Sequence, residues 1–217
     1  MTLTIVVEAH PFLDLGAFVT RLPSELRNIG TPTMVATLAD PDTTAPLAPS
    51  EQVKTAIRDL LRHGGFKPAG RSKPASEYLL GTLGTAAFPR INALVDTCNV
   101  VSMHSGIPIS VVDVAKLDGP LVIRVAPAGT TYVFNPSGQT IDASGLVCLC
   151  DERGPAGTPV KDAQRTKTDE ATRTALSILW GTNALPSLTA RTVQWYRRLV
   201  AAIPGATIEE VALQSPA

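Results

Sequence analysis

The sequence predicts an α+β fold in which a mainly antiparallel sheet packs with several helices. Four short β-branched segments, at residues 107–113, 121–126, 131–135 and 146–150, are separated by turns that contain Gly or Pro. Helical periodicity with capping residues flanks this stretch on both sides. Of the 217 residues, 44% are hydrophobic and 5% are aromatic, a composition typical of a mixed α/β protein. We expect residues 1–217 to form a single domain, because no long linker divides them.

The N-terminal half predicts one strand and three helices. Residues 3–8 are predicted as a strand, residues 12–27 fit no single pattern, and residues 31–49 form a connection rich in Pro, Thr and Asp. Ser50 suits the N-cap of a helix that stops at a Gly-Gly pair, and a second helix begins near Pro74. A third helix begins just after Pro89 and ends near Gly106.

The C-terminal part predicts two further helices. Thr168 can cap the first, which carries two acidic residues in its first turn, as the helix dipole favours, and runs to about Trp180. The last helix is predicted at residues 187–203, and residues 207–213 form a closing strand or a tail.

The helix after Pro89 carries a stripe of polar side chains. Asn92, Asp96, Asn99 and Met103 recur at helical spacing on one side, while the adjoining side is apolar and suits packing on a sheet. Carboxamides and a carboxylate at the edge of that packing indicate a cleft, where they could hold a substrate and a water by hydrogen bonds. The open alternative is that these groups cap the helix or bond to loop amides.

Positive charge is concentrated in two places, although 19 basic and 19 acidic residues give a net charge of zero. Residues 54–90 carry seven Lys or Arg side chains against two acidic ones, and a second basic cluster lies at residues 161–173. Together the clusters would form a phosphate-binding rim, whose candidate contacts are Arg71, Lys73, Arg90 and Lys167. Ordinary solvated helix faces and loops are the open alternative.

The common catalytic and cofactor-binding motifs are absent from the sequence. It contains no phosphate-cradling GxxxxGK[ST], no GxGxxG after a strand, no HExxH and no GxSxG. Its three cysteines and three histidines show no ligand spacing, so we expect neither a metal nor a cofactor. The N-terminus lacks the pattern of a signal peptide, and no apolar run approaches the roughly 20 residues of a membrane span. These features predict a cytoplasmic location.

Four segments carry a resemblance to a known family. GRSKPASEYLL, INALVDTCNVVSMHSGIP, VVDVAKLDGPLVIRVA and RTKTDEATRTAL follow the order of the B3/B4 (B3/4) domain of phenylalanyl-tRNA synthetase β subunits, and the chain resembles freestanding relatives of that domain. The resemblance is strongest over residues 66–180, with 1–50 and 181–217 as peripheral additions. It implies an α+β domain that binds the acceptor end of tRNA and hydrolyses a wrongly attached amino acid, typically tyrosine. The chain would then be a trans-editing deacylase rather than a complete synthetase.

The resemblance also implies a set of site residues. The family's pocket asparagine matches Asn99, Ser110 stands where the family has a pocket histidine, and Gln164 stands near the family's tyrosine-recognising glutamate. The candidate catalytic residues are therefore Asn99 and Ser110, and the candidate substrate-binding residues are Asn92, Asp96, Gln164, Arg165 and Thr166. The replaced glutamate leaves the selected amino acid open. Because the histidine is replaced, a noncatalytic tRNA- or RNA-binding module stays open as an alternative function. The zero net charge also leaves open an amino-acid sensor that uses the same pocket.

Overall fold

The computed structural model describes residues 2–82 and 88–216, and within them it contains ten strands and five α-helices. In chain order the strands are β1 (Leu3–Val7), β2 (Leu13–Arg21), β3 (Ile109–Asp113), β4 (Leu121–Val125), β5 (Thr131–Val133), β6 (Thr140–Asp142), β7 (Val147–Asp151), β8 (Gly154–Gly157), β9 (Thr174–Thr182) and β10 (Thr207–Gln214). The helices are α1 (Thr33–Leu38), α2 (Glu51–Arg62), α3 (Ala75–Thr82), α4 (Ala93–Ser105) and α5 (Leu188–Ala201).

Eight of the strands form one sheet in the order β3-β9-β2-β10-β1-β4-β7-β8, and β5 pairs with β6 in a separate hairpin. β1 runs parallel to both of its neighbours, and the other five pairings of the sheet are antiparallel. The prediction of an α+β fold with a mainly antiparallel sheet is confirmed. Segments 1–50 and 181–217 are not peripheral to it, because they contribute the inner strands β1, β2 and β10 and bury Ile5 and Phe18 in the core.

The sheet curls until its two edge strands, β3 and β8, approach each other. Ser110 on β3 donates a hydrogen bond to the carbonyl of Thr158, just after β8, at 3.1 Å, and the carboxylate of Asp162 accepts the N–H of Val111 at 3.2 Å. We call this junction between β3 and residues 158–167 the seam. The enclosed side of the sheet is filled by apolar side chains from strands all around it, among them Ile5, Val112, Ile123, Leu149, Leu176 and Trp180.

Helices cover the outer side of the sheet and bring α4 to the seam. α4 packs against β3, α3 and α5, while α5 covers β2 and β9. The predicted cap at Ser50 is confirmed, since Ser50 accepts the N–H of Val53 at 3.2 Å. Asn92 caps α4, which is the alternative that the sequence left open for it. Gly106, with φ +76°, ends α4 in the left-handed conformation that glycine adopts without strain. Among the described residues no helix is long and apolar enough to cross a membrane.

The prediction of a helix from Thr168 to about Trp180 is wrong, because the chain forms the long strand β9 there. β9 pairs with β2 along its full length of nine residues and with β3 on its other side. Eight of its nine residues are buried, so no solvent-facing side reveals the two-residue period of a strand. Pairing with distant strands therefore overrides the local helical pattern.

Smaller differences concern segments with weak patterns. The ambiguous residues 12–27 contain β2, and the connection at residues 31–49 contains the short helix α1. The strands β6 and β8, of three and four residues, have no counterpart among the predicted elements. Strands this short offer too few residues for alternation to be read.

Candidate functional site

A cavity of about 240 Å³ opens at the seam, between α4 and the edge of the sheet. Its apolar wall is formed mainly by α3, α4 and β3, with Ala75, Val95, Cys98, Ile109, Val111 and Val160. Its polar wall contains Asn99, Thr158, Lys161, Asp162, Lys167 and Thr168. Apolar walls with a few converging polar groups are typical of small-molecule sites, and this volume suits a small ligand or one end of a larger one.

The carboxamide of Asn99 faces this cavity from the second turn of α4. The residue is half-buried, and its side chain makes no hydrogen bond to another residue within 2–82 or 88–216. A carboxamide that faces a cavity without such a bond has its donors and its acceptor available to a ligand or a water. Of the predicted stripe on this helix, Asn99 is the member that lines the cavity.

Asn92 and Asp96 hold the start of α4 and do not line this cavity. Asn92 accepts the N–H of Val95 at 3.0 Å as the helix cap. Asp96 is buried and accepts the Thr31 hydroxyl and the N–H of Ile91, both at 2.8 Å. Both residues therefore have the capping and loop-bonding roles that the sequence left open, and the cavity faces the neighbouring side of the helix instead.

Ser110 lies inside the curled sheet and is fully buried, which differs from the catalytic role predicted for it. Its hydroxyl donates to the Thr158 carbonyl and accepts the indole N–H of Trp180 at 2.9 Å. Side chains alternate along a strand, so Ile109 and Val111 face the cavity while Ser110 points to the other side. Ser110 can support the seam, but its side chain does not line the cavity.

The predicted substrate-binding residues near 165 stabilise the seam through contacts with β7 and β8, away from the cavity. Arg165 donates to both carboxylate oxygens of Asp151, at 2.8 and 2.6 Å, and Thr166 is fully buried and donates to the carbonyl of Ala156 at 2.6 Å. Gln164 is half-buried in the same 3₁₀ turn and does not line the cavity. These residues fix the segment that carries Asp162 and do not face a ligand there.

Asp162 is the site residue that the sequence did not single out. Its two carboxylate oxygens accept the N–H groups of Thr158 at 3.1 Å and Val111 at 3.2 Å, and Ser110 is within hydrogen-bond reach. Burial raises the pKa of Asp162 to about 6, and these hydrogen bonds and the charge of Lys167 only partly oppose the rise. A perturbed carboxylate in a cleft marks a candidate functional group.

Two lysines complete the polar wall, and both contact Phe134 at the end of the β5–β6 hairpin. Lys167 donates to the carbonyl of Phe134 at 2.6 Å, and the ammonium of Lys161 lies 4.3 Å from the centroid of its ring. Burial lowers the pKa of both lysines, and the charge of Arg71 lowers that of Lys161 further. The cavity mouth is thus rich in positive charge that is incompletely neutralised.

The four predicted phosphate contacts are not all on this side of the molecule. Lys167 lines the cavity, and Arg71 is exposed and interacts with the charge of Lys161 at its mouth. Lys73 is exposed two residues further along. Arg90 donates to a backbone carbonyl of α1 at 3.2 Å, so its side chain is turned towards that helix. Within the described ranges, no group of three or more His, Cys, Asp or Glu side chains could hold a metal ion.

We expect the protonation of Asp162 to change the stability of the fold between about pH 4 and pH 6. Its pKa rises from the ordinary 3.8 to about 6 on folding, so the folded state binds this proton more tightly than the unfolded state. The resulting stabilisation is present at low pH and is lost as pH rises through that window, by about 2–3 kcal/mol. The measurement is the free energy of unfolding of the wild type minus that of Asp162→Asn, which should fall with rising pH; a flat difference contradicts the assignment.

Comparison with known proteins relates this chain to a family. Residues 68–192, more than half of the chain, match the B3/4 domain family model. The β subunit of phenylalanine–tRNA ligase from Brucella suis biovar 1 (strain 1330) is 30% identical over 125 residues, which cover 56% of this chain and 15% of that protein. The corresponding subunit from Rhodopseudomonas palustris is 34% identical over 85 residues, covering 39% of this chain and 10% of the relative.

A solved structure supports the same relationship at the level of the fold. The N-terminal fragment of the phenylalanyl-tRNA synthetase β subunit from Pyrococcus horikoshii superposes with a TM-score of 0.54 over 99% of this chain and 52% of that one, at 10% identity. At this identity the likeness shows the fold alone. The chain spans only about 15% of the length of the first curated relatives, so the match concerns one domain of them. The chain belongs to the B3/4 domain family.

Proposed function

We propose that the chain binds the acceptor end of tRNA and hydrolyses aminoacyl esters of tRNA in the seam cavity, as a trans-editing deacylase. The observation that carries the proposal is the carboxamide of Asn99, which has no hydrogen-bond partner among the residues that the structure describes and opens into the cavity beside Asp162 and Lys167. An aminoacyl ester is already a reactive acyl group, so such a site has mainly to orient the ester and a water. The proposal extends to a cytoplasmic location and to residues 1–217 acting as one domain.

The identity of the relatives and the charge at the cavity mouth both support tRNA as the partner. The relatives named above are subunits of an enzyme that, by its name, joins phenylalanine to tRNA. Arg71, Lys161 and Lys167 concentrate positive charge where the phosphates next to a terminal nucleotide would pass. The cavity of about 240 Å³ would take the aminoacyl group, while the nucleotide stays outside.

The test is the loss of ester from a panel of mischarged tRNAs. We expect wild-type protein to deacylate at least one of them, and Asn99→Ala to lower the rate about 100-fold or more, the usual effect of losing one positioned hydrogen-bonding group. Affinity for tRNA should stay unchanged. Asn28→Ala is the matched control, since Asn28 is exposed on a 3₁₀ turn and does not line the cavity.

Other outcomes of the same panel would favour the two alternative functions. Salt-dependent tRNA binding without turnover on any member would support a noncatalytic RNA-binding module. Saturable binding of a free amino acid by a protein with no affinity for tRNA would support an amino-acid sensor. Equal deacylation by wild type and Asn99→Ala would remove Asn99 from the site.

The proposed phosphate contacts predict a change in the salt dependence of tRNA binding. Replacing Lys161 or Arg71 with Ala should weaken tRNA binding. The plot of log association constant against log salt concentration, which falls with salt, should become less steep by about 1 for each phosphate that the protein no longer neutralises. Arg198→Ala should leave the slope unchanged, because Arg198 is exposed on α5 and does not line the cavity. Lys73→Ala tests whether the contact surface continues along the segment before α3. Equal slopes for the wild type and all four variants would contradict the rim.

A further inference from the structure

The position of Asp162 is fixed by the seam itself. The N–H groups of Val111 on β3 and of Thr158 after β8 hold one carboxylate oxygen each, so the side chain joins the two edges of the sheet. The strand backbone lies close behind it, since a Cβ added to Gly157 would lie 3.4 Å from its Oδ1. A carboxylate has about four acceptor directions, and the two N–H groups use only one on each oxygen. A carboxylate held this rigidly at a cavity wall keeps acceptor capacity for a ligand.

From this geometry we propose that Asp162 is the general base that takes a proton from the attacking water in ester hydrolysis. The inference rests on the proposed function and adds a catalytic residue to it. Asp162 lines the same cavity as Asn99, so one side chain can orient the ester or the water while the other accepts the proton. The two backbone N–H groups that hold this carboxylate also satisfy the need for positioning.

The proton transfers balance over one catalytic cycle. The water oxygen forms a bond to the ester carbonyl carbon while its proton passes to a carboxylate oxygen of Asp162. When the tetrahedral intermediate collapses, the bond between that carbon and the ribose oxygen breaks, and the proton on Asp162 moves to the ribose oxygen. The products are a free amino acid and a tRNA with a free terminal hydroxyl, and Asp162 returns to its carboxylate form. No further reactant is required.

The groups that face Asp162 are either cationic or neutral near pH 7, so Asp162 is the suitable base of the cavity. Lys167 is a cation and favours the carboxylate form. Burial raises the pKa of the other groups that interact with its charge, which are therefore neutral near pH 7: Cys98 from α4, Tyr132 from β5 and Tyr196 from α5. Ser110 is within hydrogen-bond reach of Asp162, but its hydroxyl donates to the Thr158 carbonyl and does not titrate in this range.

The surrounding charge also argues against a simpler role, the binding of the α-ammonium group of the substrate. Lys161 and Lys167 line the same wall, so a third cation there would meet two like charges and one carboxylate. Proton abstraction from a neutral water carries no such cost. The charge of Lys167 also opposes the build-up of positive charge and favours the negative charge that develops on the ester oxygen.

The test is the pH dependence of steady-state deacylation, measured on the substrate that the mischarged panel identifies. Wild-type kcat should rise with pH and level off above an inflection near 6, where Asp162 loses its proton. Asp162→Asn should lower kcat by about 100-fold or more with little change in KM, and the inflection should disappear from its residual rate. The matched control is Asp59→Asn, which makes the same substitution at an exposed position on α2. Its kcat and its pH dependence should match those of the wild type.

Each other outcome overturns the inference. A wild-type kcat that is flat between about pH 5 and pH 8 excludes Asp162 as the base without any variant, so the test stands even where Asp162→Asn does not fold. A raised KM with unchanged kcat in Asp162→Asn makes it a binding residue instead. In both cases the proposed function survives if Asn99→Ala still lowers the deacylation rate about 100-fold or more. A wild type that deacylates no member of the panel overturns the proposed function and this inference together.

Discussion

Replacing Arg165 with Met will destabilise the folded protein by about 3–5 kcal/mol at neutral pH, the usual cost of removing one partner of a buried ion pair. Asp151 has a side chain that is 0% exposed and binds Arg165 through both oxygens. Burial alone would raise the pKa of Asp151, but the hydrogen bonds from Arg165 and from two backbone N–H groups outweigh it and lower that pKa. Without Arg165 a buried carboxylate is left without its cation.

The loss should be measured as a free energy of unfolding from urea titration, beside that of Arg173→Met. Arg173 is an exposed arginine whose ion pair with Glu25 spans 3.7 Å, so its removal should cost well under about 1 kcal/mol. The cost of Arg165→Met should shrink as pH falls, because the unpaired Asp151 then takes up a proton and loses its charge. A variant that lost deacylation while keeping wild-type stability would instead show that Arg165 contacts the substrate.

Elements that depend on neighbouring residues could be predicted from the sequence. The caps at Ser50 and Asn92 and the left-handed Gly106 are local chemistry, since each satisfies backbone groups within one turn of its own helix. Ser50 and Gly106 correctly marked the start of α2 and the end of α4, whereas α4 begins at Ala93, a few residues after the start predicted from Pro89. Asn99, the residue on α4 that faces the cavity, follows from the same helix together with the resemblance to the family.

The parts that could not be predicted depend on distant pairing. The segment that forms β9 shows an apolar pattern compatible with a helix, and only β2 and β3 on either side of it decide that it is a strand. Asp162 is a similar case, because its position depends on the N–H of Val111, which lies 51 residues away. In the sequence Asp162 is one acidic residue within the second basic cluster, at residues 161–173. No periodicity or motif marked it, since a single carboxylate in a loop carries no local signal.

The same dependence explains why several predicted site residues have structural roles. One short segment after Asp162 carries Gln164, Arg165 and Thr166, and none of these side chains lines the cavity. Arg165 and Thr166 instead bond to Asp151 and to the carbonyl of Ala156. Sequence proximity put them near the site, but the 3₁₀ turn directs them away from it. Ser110 is displaced in the same way by the alternation of β3, although its neighbours Ile109 and Val111 do line the cavity. Register and turn geometry thus decide which members of a matched motif can reach a ligand.

Replacing Gly145 with Ala will cost roughly 3 kcal/mol or more of folding free energy, combining left-handed strain with a backbone collision. Gly145 has φ +73° in the turn before β7, and a Cβ there would lie 2.1 Å from the carbonyl oxygen of Gly64. Gly64 follows α2, and a Cβ on it would lie 2.4 Å from the carbonyl oxygen of Gly145. The two glycines therefore let the end of α2 approach the sheet closely, and Leu60 and Leu146 are buried in the same apolar cluster.

A matched glycine separates the two contributions. Gly129 has φ +80°, but a Cβ added to it meets no atom within 4 Å, so Gly129→Ala should cost only the left-handed strain, about 1–2 kcal/mol. The difference between the two variants in urea denaturation then measures the collision between Gly145 and Gly64. Equal costs would mean that the end of α2 can move away freely. In that case the contact would not be what anchors the helix to β7, and packing around Leu60 would have to hold it.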